Sequence, residues 1–180
     1  RGIGSTMGSR TFFGKLARIW RHRWIDRAEI ARALPPDLLE RLAARVGARE
    51  RRHRGEIRFC VEAGLPNSYL WPAATARERA VAMFGKLRVW DTEHNNGVLI
   101  YLLLVEHAIE IVADRGIARK VGEQEWATMT RHMSEAFREG RFEDGLTQAL
   151  AEVSALLVEH FPLAPGETDG NELPNAPVVI

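Results

Sequence analysis

Asp91, Glu93, Asn95 and Asn96 crowd one polar loop, and Asp114 stands just beyond the apolar segments that follow it. Carboxylates and amides together form the donor set that hard cations take, since Ca²⁺ and Mg²⁺ are held by several oxygen ligands. If the apolar segments fold back on each other as a hairpin, Gly97 comes opposite Asp114 or Arg115. The loop and Asp114 then meet at one edge. Glu123 opens the next helical pattern, and its helix N-terminus is expected to project toward the same edge. The candidate metal ligands are therefore Asp91, Glu93, Asn95, Asn96, Asp114 and Glu123, and the expected ion is Ca²⁺ or Mg²⁺. The competing reading is structural. Asn and Asp ahead of a strand make Asx turns, and a glutamate in a helix first turn is favourable without any ligand.

Other chemistries leave weaker marks. A phosphate-ester hydrolase could use Asp91, Asp114 and Glu123 as metal ligands to position a water, with Arg115 neutralising phosphate charge. No phosphate-cradling glycine loop and no D-x-D-x-T nucleophile accompany them. The histidines His22, His53, His94, His107, His132 and His160 are scattered, and none pairs in the H-E-x-x-H pattern of a helical zinc site. Cys60 is the single cysteine, so no intramolecular disulfide and no thiolate zinc cage can form. It reads as a small buried apolar residue. No residue is assigned a catalytic role.

The elements that must position the loop are legible from periodicity. Residues 56–63 alternate, with Ile57, Phe59 and Val61 on one side and Arg58, Cys60 and Glu62 on the other, which is the period of a strand. Residues 98–105 are apolar on both faces, as a central strand covered on both sides should be. Glu106-His107 makes a tight connection, and residues 108–113 return as a second strand. Helical spacing marks residues 35–54, 75–87, 123–139 and 142–160, with Gly140 as a C-cap between the last two. The connection from residue 56 to 105 predicts parallel pairing, and residues 98–113 an antiparallel hairpin. The expected fold is α/β: a three-layer α/β/α sandwich with a small mixed sheet and an N-terminal basic amphipathic helix.

The chain has 180 residues, 46% of them hydrophobic and 27% charged, which suits one globular domain with a real core. Residues 1–9 are expected to be vector-encoded or disordered, with Met7 a candidate native start and no secretory h-region. Residues 10–34 form the basic arm: Arg10, Lys15, Arg18, Arg21, Arg23 and Arg27 interleave with Phe12, Phe13, Leu16, Ile19, Trp20, Trp24 and Ala28. Three fates are open to it. Its apolar stripe could dock on the domain with the arginines solvated, the whole could lie on an anionic membrane or a membrane-protein partner through residues 10–33, or it could bind nucleic acid. The net charge of +1 argues neither way on nucleic acid, and the reading adopted has no nucleic-acid partner. Residues 35–161 make the domain proper. Residues 162–180, rich in proline and glycine, are expected to be a flexible tail.

Three segments carry a family resemblance. Asn95-Asn96-Gly97-Val98-Leu99 resembles the NNGVLL-type segment of the TPM domain family. Residues 108–117 (AIEIVADRGI) resemble its following strand, and residues 136–145 (AFREGRFEDG) its A-F-R-x-G-x-Y-x-x-G helix junction. Order and spacing fit as well, across residues 35–161. The family takes its name from thylakoid-lumen, photosystem-repair and receptor-modulating members. The resemblance implies an α/β/α sandwich, a part in assembly or turnover of membrane complexes, divalent-cation binding (often calcium) and, in some plant members, weak acid phosphatase activity. The resulting expectation is a non-catalytic module in assembly or quality control of a membrane-associated complex, binding a divalent cation at the Asp91–Gly97/Asp114 edge. It would be cytoplasmic, peripheral at the inner membrane. The alternative is a metal-dependent, acid-phosphatase-like hydrolase.

Overall fold

The computed structural model describes residues 14, 16–22, 31–70, 74–167 and 170–180. Its elements in chain order, after a helical stretch over 16–22, are α1 (Pro36–Glu50), β1 (Ile57–Glu62), α2 (Asn67–Leu70), α3 (Ala76–Lys86), β2 (Val98–Leu103), a 3₁₀ turn (Leu104–Glu106), β3 (Ala108–Ala113), α4 (Arg115–Ala118), α5 (Glu123–Arg138), α6 (Phe142–His160) and β4 (Val178–Val179).

The alternation read in the sequence sorts side chains onto two faces of one sheet. Ile57, Phe59 and Val61 of β1 and Val98, Ile100 and Leu102 of β2 point into a core shared with α1, α5 and α6. Cys60, Leu99, Tyr101 and Leu103 point to the other face, under α3. All six residues of β2 are buried. Helices cover both faces, so the three-layer sandwich holds. Strand order is β3-β2-β1-β4, with β1 and β2 parallel and β2 and β3 antiparallel. His107 takes the left-handed conformation (φ 49°) that closes the hairpin turn. Gly140 (φ 74°) ends α5 in the same way. Thr75 and Glu78 form a capping box at the start of α3.

The expectation of a flexible tail is corrected. Val178 and Val179 add a parallel edge strand beside Cys60 and Val61 of β1. Ahead of them, the Glu172 and Leu173 amides donate to the Glu56 carboxylate at 3.1 and 3.3 Å, and Leu173 is buried. The prolines and glycines of this segment do not prevent that pairing. The final Val-Val-Ile carries the β-branched strand propensity.

The docking of the arm is also the reverse of the stripe expected. Within residues 16–22 two polar side chains, Arg18 and His22, face the body, while Arg21 is exposed. Arg18 Nε and His22 Nε2 reach Glu106 Oε1 at 2.6 and 2.7 Å, and the Leu65 amide donates to His22 Nδ1 at 2.9 Å. Burial works to raise the Glu106 pKa, but bonds from Arg18 and His22 outweigh it and hold the carboxyl below its ordinary range. Leu16 and Trp20 stay exposed, while Ile19 packs on the second core. Desolvation outweighs the ion pair here, because a neutral His22 that accepts at Nδ1 is what the buried site can hold. The rest of the arm's pattern, on residues 10–13, 15 and 23–30, lies outside the described residues.

At the C-terminal end of β1 a charged group is buried on purpose-built partners. Glu62 accepts from Arg79 Nε and Nη2 at 2.8 and 2.7 Å and from the Tyr101 hydroxyl at 2.6 Å. Arg79 also lies over the Tyr69 ring, 4.8 Å from its centroid.

Candidate functional site

The opposite end of the sheet, where β1 and β2 begin and β3 ends, gathers the residues singled out from the sequence. Val98 pairs with Ala113, and the Asp114 amide donates to the Gly97 carbonyl at 2.9 Å. The loop crosses back over the next turn: the Gly116 amide donates to the Asn95 carbonyl at 2.8 Å. Asn95 stands at φ 51°, a conformation that asparagine tolerates better than most residues. A side chain at Gly97 or Gly116 would collide with the backbone facing it, so both glycines permit the approach.

Two side chains at this edge are buried and incompletely bonded. Asn96, fully buried, donates from Nδ2 to the Arg54 carbonyl at 3.0 Å, and its Oδ1 has no partner. Asp114, 9% exposed, caps α4 by accepting from the Arg115 amide at Oδ1 (2.7 Å), and its Oδ2 has no partner. Unbonded buried oxygens of this kind call for an ion, a water or a ligand donor. Asn95 and Arg115 complete the edge, with Arg115 Nε 3.4 Å from Asn95 Oδ1. The remaining candidates are not brought in. Asp91, Glu93 and Glu123 are exposed; Asp91 and Glu93 are held through their backbone amides, by Arg88 O and by the Glu172 carboxylate. Among the described residues no three or more His, Cys, Asp and Glu side chains are placed to hold a metal ion. Asp114 Oδ2 and Asn96 Oδ1 are the two buried oxygens left open at this edge, a donor type suited to Ca²⁺ or Mg²⁺ and not to a thiophilic metal.

Sequence reasoning missed a neighbouring pair of acids at this end of the sheet. Glu50 closes α1 and Glu56 precedes β1. Burial, and then the facing Glu56 carboxylate, push Glu50 up to about 7. Glu56 is 3% exposed and spends both oxygens on the tail amides. Beside them His53, 1% exposed, donates from Nδ1 to the Gly55 carbonyl at 2.9 Å and accepts from Ser154 at Nε2. Burial lowers its pKa to about 4. The signal in the sequence was slight: an acid on each side of the Gly55 break. What joins them is the return of residues 170–175.

These shifts have opposite signs in stability. The raised Glu50 pKa makes the fold most stable below about pH 4.5 and removes that contribution as pH rises to about 7. The lowered His53 pKa stabilises above pH 6.5 and is lost as pH falls to about 4. Glu50→Gln removes the first effect. The variant is expected to be more stable than the parent at pH 8 by about 1–2 kcal/mol, discounted because the side chain is only half-buried. The advantage should vanish by pH 4.5, which urea denaturation at the two pH values would check.

Fold and edge together define a class: an α/β/α domain carrying an acid–amide edge where the hairpin rejoins the sheet. The chain belongs to the TPM domain family, whose model matches residues 29–156. It is similar to the BA42 protein of the psychrophilic bacterium Bizionia argentinensis, with 26% identity and a TM-score of 0.70 over 81% of this chain and 94% of that one. The N-terminal domain of a protein from P. gingivalis shares the fold at 18% identity and a TM-score of 0.58, over 73% of this chain and 83% of that one. No curated protein matches the chain.

Proposed function

We propose that this TPM domain is a non-catalytic module that binds a divalent cation, Ca²⁺ or Mg²⁺, at the Asn96–Asp114 edge and serves in assembly or quality control of a membrane-associated complex. One observation carries the cation: the buried Asn96 Oδ1 and Asp114 Oδ2, both without partners, at the point where loop and strand end meet. No described helix is long and apolar enough to cross a membrane. The exposed Leu16 and Trp20, with Arg21 beside them, support the arm as the contact.

Calcium titration should raise the melting temperature and shift amide resonances at residues 95–97 and 114–116. A ligand at a hundredfold excess over its Kd adds about 2.7 kcal/mol, or roughly 5–10 °C for a chain of this size. Asp114→Asn keeps the Oδ1 cap on α4 but loses the charge, and should abolish the response. A response that survives it places the ion elsewhere. Hydrolysis of a generic phosphate ester that depends on the metal and disappears in Asp114→Asn would instead establish the hydrolase reading.

A further inference from the structure

A cavity of about 310 Å³ lies between the last turn of α1, the start of β1 and the returning segment that carries Asn171 and Asn175. Its walls include Glu50, His53, Glu56, Glu167 and both of those asparagines. We propose that this cavity binds a small organic cation through an ammonium or guanidinium group seated against Glu50 and Asn175.

The argument starts from unmatched hydrogen-bond capacity. Glu50 Oε1 accepts from the Ile57 amide at 3.2 Å, and the Glu50 side chain also interacts with Asn175 and Glu56, but its buried Oε2 has no partner at hydrogen-bond distance. Asn175 Oδ1 is likewise buried and unbonded, and the Asn175 amide lies against Gly47, where an added Cβ would stand 2.7 Å from Nδ2. Every unused polar atom named on this wall is an acceptor. His53 adds no donor, because Nδ1 is spent on Gly55 and Nε2 on Ser154. Glu56 faces Glu50, and that repulsion is relieved by a positive charge between or beside them. At the rim, Glu167 is already paired with Arg54 at 2.6 Å, and Arg51 lines the wall. The interior is therefore acidic and rich in acceptors, with its positive charge at the mouth.

Size distinguishes an organic cation from a bare ion. The volume stands at the lower end of small-molecule pockets. An ammonium group supplies three donors and a guanidinium five, enough to reach Glu50 Oε2 and Asn175 Oδ1 together. The site is separate from the Asn96–Asp114 edge in its ligands, although both lie at one end of the sheet.

Putrescine and agmatine are suitable probes, at pH 8 where Glu50 is ionised, with acetate and CaCl₂ as controls. Binding is followed by calorimetry and by amide chemical shifts on the full chain. Shifts are expected at Gly47, Gly55, Glu56 and residues 170–175, with little change at residues 95–97. Glu50→Gln, which keeps the fold, should weaken binding at least tenfold, and Asn175→Ala should weaken it severalfold. Absence of any shift at millimolar amine overturns the proposal, as does equal binding by Glu50→Gln. Shifts at these residues with CaCl₂ and none with either amine would make the cavity a metal site and also overturn it. Calcium shifts confined to residues 95–97 and 114–116 concern the other edge and leave this one to the amines.

Discussion

Arg79→Leu should be among the most damaging single substitutions in this domain, lowering stability by about 3–5 kcal/mol. It leaves the Glu62 carboxylate 3% exposed, with the Tyr101 hydroxyl as the remaining side-chain donor where two guanidinium nitrogens had joined it. The charge cannot reach water without pulling β1 from the sheet, since Glu62 pairs with Leu103 of β2. Burial, and then the hydrogen bond to Glu62, already push the Tyr101 pKa up, so the tyrosine cannot become a second anion to reorganise the site. Adding Glu62→Gln to the Arg79→Leu background should recover part of the loss, because a neutral amide costs less to bury than an unpaired carboxylate. Urea denaturation reads both: the midpoint falls with the slope unchanged. A loss below about 1 kcal/mol would mean that the pair behaves like a solvated surface bridge.

Gly97→Ala is expected to be comparably severe and to act directly on the candidate edge. A Cβ there would lie 2.0 Å from the Val89 carbonyl oxygen and 3.1 Å from its carbonyl carbon. Val89 is fully buried and the obstructing atom is backbone, so no rotamer change relieves the clash. Overpacking by a methyl ordinarily costs about 1–3 kcal/mol where side chains can yield; at least the upper end is expected here. Relief requires β2 to shift at its first residue, which also moves Asn96 and the Gly97 carbonyl that receives the Asp114 amide. Any calcium response should therefore be lost along with stability. Gly85→Ala is the contrasting control. Gly85 lies inside α3 with open space around it, so alanine should stabilise by about 0.5–1 kcal/mol. A tolerant Gly97→Ala would show that the loop and the strand approach less closely than the structure has them.

Much of this was legible before any coordinates. Period two over Ile57–Glu62, an uninterrupted apolar β2 and the hairpin turn are local properties, and they define the sheet's centre and bring Gly97 opposite Asp114 or Arg115; the structure settles on Asp114. The four long helices follow from amphipathic spacing that extends over several turns. The short helices α2 and α4 were not anticipated, because one turn leaves no periodicity to count. The six candidate ligands were chosen for their chemistry and nearness in the chain. Register alone carried Asn95, Asn96 and Asp114 to one edge, while Asp91, Glu93 and Glu123 point to solvent for reasons that no spacing encodes.

By itself, the sequence determined the fold class, the antiparallel hairpin to within one residue of register, and the family, because each is written in repeating local preferences and short ordered motifs. Tertiary structure decided which polar groups lose their water. The tail's return as β4 buries Glu56 and closes the cavity beside Glu50. The arm turns Arg18 and His22 inward to Glu106 and leaves Trp20 outside. Burial of a charge is a property of what packs over it, and the segment that covers Glu56 comes from more than a hundred residues away in the chain.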